Sequence, residues 1–296
     1  MKDICLVSAY FQIPAKFPKE QYHHWINNFL KIETPMVIFT DQPDLIRTLH
    51  TSRRPLHIVP TCFQDFLTYK YHDKWKEHLE MDHEKFRHNI YLYMIWNEKT
   101  NFLNRAILLD PFESKYFYWT DIGSFRQEEH VKTYYTHYPN PPLQTRFDPT
   151  FDKILLLNIE PFQEDELQYL QNLKNELDKD YNHVHEHNHE HEHNHEHEHN
   201  HEQDCIKITN LQIRNIFQHK NRIGGGIFGG HKDYCHKWWK KYYQILDLFF
   251  QQKQFAGKDQ SVMAITALLF PDLVHIVEPI NAKFDPWFYL QEYLTI

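Results

Sequence analysis

Two apolar patterns alternate at the start of this chain, and together they restrict its fold. Residues 4–9 form a continuous apolar run, residues 18–32 carry apolar side chains at helical spacing, and residues 36–40 return to strand character. A short apolar run bounded by turn residues is typical of a buried strand, whereas recurrence every three to four residues indicates an amphipathic helix. The order strand, helix, strand predicts an α/β fold.

The same alternation continues through the chain. Further strands are predicted at residues 56–59, 116–119, 153–159 and 273–277, and helices at residues 87–109, after Pro161, at 237–250 and from 259 to near Pro271. The chain has 296 residues, of which 16% are aromatic, so it carries enough apolar area for a sizeable core. We expect a single domain over residues 1–296.

A histidine tract interrupts this pattern. From residue 183 to residue 201 every second residue is histidine, with mostly Glu and Asn between. The tract has no apolar face to bury, so a disordered insertion over residues 181–204 is predicted. Its imidazoles can bind Zn²⁺, Ni²⁺ or Cu²⁺ loosely, although a tract without a cellular role is an equal alternative.

Charge and cysteine usage exclude some partners. The formal net charge is −8, which disfavours nucleic acid as a partner. No apolar run is long enough to span a bilayer, and no signal-peptide pattern is visible at the start. The four cysteines, Cys5, Cys62, Cys205 and Cys235, lack paired spacing, so free thiols and a cytoplasmic location are predicted.

The strongest candidate for a functional residue is Asp121. The aromatic run at residues 116–119 ends in Thr-Asp-Ile-Gly, so a buried strand delivers a carboxylate to the point where the chain turns away, which is where α/β proteins build sites. The alternative is a turn-forming Asp that bonds nearby backbone amides. Position 119 is Trp and position 123 is Gly, so no second carboxylate accompanies Asp121.

Several segments in a fixed order resemble one family. They are Asn97-Glu98-Lys99 with Phe102 and Ala106, then Asp110-Pro111-Phe112, then Trp119-Thr120-Asp121-Ile122-Gly123, and later a glycine-rich phenylalanine segment and a C-terminal helix. This order resembles the HtrL/YibB proteins and, through them, nucleotide-sugar glycosyltransferases of the GT-A fold. The resemblance implies a mixed central sheet flanked by helices, a nucleotide-sugar donor, a glycan or protein acceptor, and Mn²⁺ or Mg²⁺ beside the donor diphosphate.

The resemblance also implies roles for individual residues. Asp121 would be catalytic and a metal ligand, and Asp259 would be the catalytic base that takes the acceptor proton. A second metal ligand would be His275. The donor would be bound by Tyr10, Lys99, Arg105, Gly225 and Gly226. Arg126 joins this set from its own position just past the Asp121 turn, because guanidinium binds phosphate or carboxylate oxygens in a bidentate manner. Plainer alternatives exist: a solvated helix face for Lys99 and Arg105, a surface ion pair for Arg126, a helix N-cap for Asp259, and a structural histidine at 275.

Five of the seven glycines lie between residues 224 and 230. They contain a Gly-x-Gly-x-x-Gly pattern, but it lies late in the chain and no clear strand precedes it, so a dinucleotide site is not favoured. A Walker phosphate loop fails because His231 follows Gly230 where lysine is required. By the resemblance, the segment lines a sugar pocket. A flexible hairpin is the alternative.

Two classes of function follow. The first is a glycosyltransferase that uses a uridine- or guanosine-diphosphate sugar. The second is a non-catalytic protein with the same fold whose histidine tract binds transition metals. A nucleotide-dependent oxidoreductase is a third hypothesis, and it requires NAD binding.

Overall fold

A seven-stranded sheet runs through the part of the chain that the computed structural model describes, residues 3–14, 17–51, 54–134, 138–139, 152–188 and 211–295. The strands are β1 (Ile4–Tyr10), β2 (Met36–Thr40), β3 (Leu56–Pro60), β4 (Tyr116–Thr120), β5 (Ile154–Asn158), β6 (Ile223–His231) and β7 (Val274–Val277). Their order across the sheet is β3-β2-β1-β4-β6-β5-β7. Only β6 runs antiparallel to its neighbours, so the sheet is mixed.

Helices cover both faces of this sheet. They are α1 (Lys19–Phe29), α2 (Pro43–Leu49), α3 (His72–Met81), α4 (Ile90–Leu109), α5 (Glu128–Tyr134), α6 (Glu164–Asn188), α7 (Lys232–Gln251), α8 (Asp259–Leu269) and α9 (Leu290–Tyr293). Successive strand residues point to opposite faces: Cys5 and Val7 pack with α3, α4, α6, α7 and α8, whereas Ile4 and Leu6 pack with the remaining helices. The predicted fold class, a mixed central sheet flanked by helices, is confirmed.

The predicted strands and the longer predicted helices occur at their expected positions, but the glycine segment differs from expectation. It is neither a loop nor a hairpin: it forms β6, which is buried between β4 and β5. Such a strand is difficult to predict from sequence, because glycine has low strand propensity and no side chain that could show the alternation of apolar and polar residues. Close backbone contacts explain the glycines, since a Cβ at Gly229 would lie 2.1 Å from the Phe117 carbonyl oxygen.

The histidine tract is described only in its first part. Helix α6 extends to Asn188 and so includes the first residues of the tract. Residues 189–210, with Cys205 and most of the predicted insertion at 181–204, lie outside the described residues. The predicted disorder and metal binding of the tract therefore stay predictions.

Replacing Gly229 should test whether close packing fixes β6. We expect Gly229→Ala to lower the free energy of unfolding by more than about 3 kcal/mol, because φ is +152° and the new Cβ would overlap backbone atoms. Gly224→Ala is the matched control in the same strand. Its Cβ would lie 3.2 Å from the Ile159 Cδ1, and a side chain can move, so we expect a loss of about 1 kcal/mol or less. Urea titration measures both, and equal losses would contradict this account.

Candidate active site

A cavity of about 610 Å³ opens where β1 and β4 end. These strands are parallel neighbours, and the sheet order reverses between them, because β2 and β3 lie on one side of β1 and all later strands on the other. Open α/β sheets bind ligands at the carboxyl ends of the strands at such a reversal. The cavity is lined by residues 9–14 at and after the end of β1, residues 121–123 after β4, and side chains of α1 and α4.

Asp121 lies on the floor of this cavity, directly after β4. Its backbone N–H donates to the Gly226 carbonyl, so the pairing with β6 continues past the end of the strand. The carboxylate accepts a 2.8 Å hydrogen bond from Trp119 Nε1 and lies 3.1 Å from Lys99 Nζ. The side chain is 37% exposed, so a ligand can reach it. The alternative of a turn-forming Asp fails, since these partners are side chains and not backbone amides.

The Lys99 ammonium lies between two carboxylates. Its Nζ is 3.1 Å from Asp121 Oδ1, 3.2 Å from Asp259 Oδ2, and donates to the Gly225 carbonyl at 2.9 Å. Burial acts to lower the pKa of Lys99, but the two carboxylates outweigh it and the pKa is raised. Lys99 is therefore a fixed cation. We call the three side chains Asp121, Lys99 and Asp259 the charge triad.

Asp259 is the inner member of the charge triad. It is only 4% exposed and does not line the cavity. Burial raises its pKa, and the Lys99 ammonium partly offsets this. It is the first residue of α8 and not the N-cap, which is Lys258, so the predicted N-cap role does not apply. Gly225 makes room for it, because a Cβ there would lie 2.6 Å from Asp259 Oδ2.

Helix α4 holds Lys99 in place through a buried polar turn. Asn97 donates to the Ala256 carbonyl and accepts from Tyr242 Oη. Glu98, also fully buried, accepts hydrogen bonds from the backbone N–H groups of Leu67 and Thr68. Buried polar groups without partners are costly, so these bonds fix the register and rotation of α4 at the turn that presents Lys99.

Positive charge predominates around the cavity, although the whole chain is acidic. Four basic side chains line it, Lys19, Arg87, Lys99 and Arg126, against the carboxylates of Glu84 and Asp121. A concave wall of one sign attracts a ligand of the opposite sign. The cavity therefore suits an anionic ligand.

Aromatic rings form the rest of the wall. The Arg126 guanidinium lies 5.1 Å from the Trp25 ring centre and 5.3 Å from that of Phe288. Its Nε donates to the Gly123 carbonyl at 3.3 Å, while its terminal nitrogens have no hydrogen-bond partner among the described residues. Tyr10 also lines the cavity, and burial and the nearby Asp41 raise its pKa. Such a wall can stack on a flat ligand while Arg126 binds an oxyanion.

Besides Asp259, four predicted site residues do not line the cavity. Arg105 places its guanidinium 4.8 Å from the Phe39 ring centre and does not line the cavity. His275 lies on the edge strand β7, three strands from β4, which is roughly 14 Å at the usual spacing of strands. The structure therefore does not bring His275 to Asp121, and the two cannot bind one metal ion. Gly225 and Gly226 lie in β6 next to the charge triad and not in the cavity wall.

The residues at Asp121 do not fit a metal ion held by the protein alone. One carboxylate is offered, and the Lys99 ammonium lies against it. Within the described ranges, one group of three potential metal ligands (His, Cys, Asp or Glu) has its ligand atoms within 4.8 Å of one another. It consists of Asp82, Glu84 and His88. Sequence reasoning missed this group, because residues 82–88 form a connection without a periodic pattern.

No protein-family model and no curated protein matches this chain, so the HtrL/YibB relationship stays a prediction. A similar solved structure is that of mouse xyloside xylosyltransferase 1 in its apo form, with 11% identity and a TM-score of 0.44 over 99% of this chain and 93% of that one. That likeness identifies neither a substrate nor a site residue.

Among the helices of the described residues, none combines the length and the apolar character that crossing a membrane requires.

Removing the Lys99 charge should be costly. We expect Lys99→Met to lower the free energy of unfolding by about 3–5 kcal/mol, because it leaves two neighbouring carboxylates without their counter-ion. Lys70→Met is the control, since Lys70 pairs with Asp247 at an exposed site and should cost less than about 1 kcal/mol. Adding Asp259→Asn to Lys99→Met should recover part of the loss. Chemical denaturation that gives equal losses for the two lysines would refute the charge triad.

Proposed function

We propose that this protein is a glycosyltransferase that moves a sugar from a nucleotide-diphosphate donor to a hydroxyl group of a glycan or protein acceptor. The observation that carries the proposal is the cavity at the ends of β1 and β4, where a basic, aromatic wall meets the exposed carboxylate of Asp121. A diphosphate needs cations, a nucleobase or sugar ring needs flat apolar surface, and a sugar hydroxyl needs an acceptor oxygen. The cavity offers all three.

The donor diphosphate is assigned to the basic wall. Arg126 lines the cavity beside two aromatic rings, and its terminal nitrogens have no hydrogen-bond partner among the described residues. Guanidinium binds phosphate oxygens in a bidentate manner. Lys19 and Arg87 add charge from two other segments of the wall. Negative charge grows on the diphosphate as the sugar leaves, so fixed cations here stabilise the transition state.

Asp121 is assigned to the donor sugar. Trp119 and Lys99 fix the orientation of its carboxylate, while its exposed fraction allows it to accept a hydrogen bond from a sugar hydroxyl. We assign Asp259 a positioning role and not that of the acceptor base, because it is buried behind Lys99 and has no access to the cavity. Its contribution is to hold the Lys99 ammonium against Asp121.

Mn²⁺ or Mg²⁺ enters this proposal only as an ion carried by the donor diphosphate. Mg²⁺ commonly binds through one carboxylate together with substrate phosphates and water, and Asp121 offers one carboxylate. No described side chain completes a protein-held site at this position.

The other hypotheses receive less support. The metal-binding alternative depends on the histidine tract, and residues 189–201 lie outside the described residues. A dinucleotide site at residues 224–230 is disfavoured, because a buried strand cannot act as a phosphate loop. Cys5, Cys62 and Cys235 are free thiols, which suits a reducing compartment such as the cytoplasm.

A screen of nucleotide sugars tests the proposal. We expect UDP- or GDP-sugars to raise the thermal unfolding temperature and to be hydrolysed slowly, with and without Mn²⁺, because the cavity supplies its own cations. NAD should do neither. Arg126→Met should weaken donor binding by about tenfold or more, as expected for a charge-assisted hydrogen bond. Failure of all donors to bind would overturn the proposal.

Asp121→Asn tests the role of the carboxylate. This change keeps the size of the side chain and removes its charge, so turnover of the donor should fall on the order of 100-fold while the fold is retained. Asp44→Asn is the control: this exposed carboxylate pairs with Arg47 on α2 and does not line the cavity. Near-normal turnover is expected for it. Wild-type turnover in Asp121→Asn would exclude Asp121 from the site.

A further inference from the structure

The wall of the cavity contains a histidine held by a buried carboxylate. His88 lines the cavity, and its Nδ1 lies 2.7 Å from Asp82 Oδ2. Asp82 is 5% exposed and is itself fixed, since Oδ2 accepts from Tyr93 Oη at 2.5 Å and Oδ1 from the Glu84 backbone N–H at 2.8 Å. None of these contacts is explained by the donor site described above.

This arrangement determines which nitrogen of His88 carries the proton. Burial acts to raise the pKa of Asp82, but the hydrogen bonds from Tyr93 and His88 outweigh it and the pKa is lowered. Because Asp82 is ionised, Nδ1 of His88 must donate to it. In the neutral ring Nε2 is then unprotonated. It has no hydrogen-bond partner among the described residues, and the ring packs edge-on against Trp96 at 5.1 Å.

The other carboxylates near the cavity are paired with cations or buried, and so are less suited to take up a proton. Asp121 is bound by Lys99 and Trp119, Asp259 is buried away from the cavity, and Glu84 pairs with Lys258 at 2.6 Å. His88 thus presents an oriented proton acceptor in the cavity wall, because its Nε2 accepts no hydrogen bond from the described part of the chain. The same contacts explain Asp82, Glu84 and His88 without a metal ion.

We propose that His88 is the general base for the acceptor hydroxyl and that Asp82 is its positioning residue. This rests on the proposed function. The acceptor O–H proton passes to His88 Nε2 as the acceptor oxygen bonds to the anomeric carbon of the donor sugar. The bond from that carbon to the diphosphate oxygen breaks, and the nucleoside diphosphate leaves with the electron pair. Asp82 keeps Nε2 free in the resting enzyme and stabilises the imidazolium that forms.

The tautomer can be measured without any substrate. In nitrogen-15 NMR spectra of the full chain at about pH 8, where an ordinary histidine is neutral, His88 should be protonated on Nδ1 and unprotonated on Nε2. Its signals are assigned through their contacts to Trp96 and their loss in His88→Gln. The opposite tautomer would overturn the proposal whatever the protein's substrate is. So would a shift of these signals on addition of stoichiometric Zn²⁺ or Mn²⁺, which would indicate a metal site.

Kinetics test the role in transfer. With a UDP- or GDP-sugar bound in the screen as donor and water as acceptor, His88→Gln should bind the donor normally and hydrolyse it about 100-fold more slowly. Azide attacks without losing a proton, so it should restore turnover of this variant and give a glycosyl azide. A purely structural role would not produce that rescue. Asp82→Asn should show a smaller loss with the same rescue.

A second Asp–His pair provides the control. His72 Nδ1 lies 3.3 Å from the exposed Asp73, and His72 does not line the cavity. His72→Gln should therefore hydrolyse the donor at the wild-type rate. If His88→Gln also keeps the wild-type rate, or if azide fails to restore it while donor binding is intact, His88 is not the base. If the wild-type protein binds no donor, the proposed function is wrong. The NMR measurement would still decide which nitrogen of His88 carries the proton.

Discussion

The buried ammonium of Lys99 is the interaction on which the site depends. A charge removed from water costs several kcal/mol unless it is paired and hydrogen-bonded. Here two carboxylates and a backbone carbonyl meet that need. Because these partners come from the turn after β4, from α8 and from β6, one charged atom joins three segments that are distant in sequence. Its position can be stable only when all of them are assembled.

Glycine in β6 makes this assembly possible. At Gly225 a side chain would overlap Asp259, and at Gly229 it would overlap the backbone of β4. The glycines of β6 contribute no side-chain packing, but they let Asp259 and the backbone of β4 lie close to the strand. The aromatic and aliphatic residues of the neighbouring strands supply the apolar contacts. The polar turn of α4 is the second requirement, since its hydrogen bonds hold Lys99 at the correct height above the sheet.

The site divides its charges by burial. Asp259 is buried away from the cavity, and Lys99, although it lines the cavity, is almost fully buried and paired. Asp121, Arg126 and His88 also line the cavity and are more exposed, so they can meet a ligand. The two buried carboxylates, Asp82 and Asp259, each orient a residue that lines the cavity, His88 and Lys99 respectively. This separation of orienting groups from reacting groups is a common way to hold a site in position without occupying the groups that act.

The sequence by itself determined the α/β class and most element positions, because an apolar period is a local signal. It also predicted site roles for Asp121, from its place at a strand end, and for Lys99, from a family resemblance. It did not reveal β6, since glycine has no side chain that could show an apolar period. Nor did it reveal the ion pair between Lys99 and Asp259, because the two residues are far apart in the sequence. It gave Arg105 and His275 site roles that their positions do not support. Only the tertiary structure decided which side chains share the cavity, because burial, distance and orientation depend on how the strands are ordered.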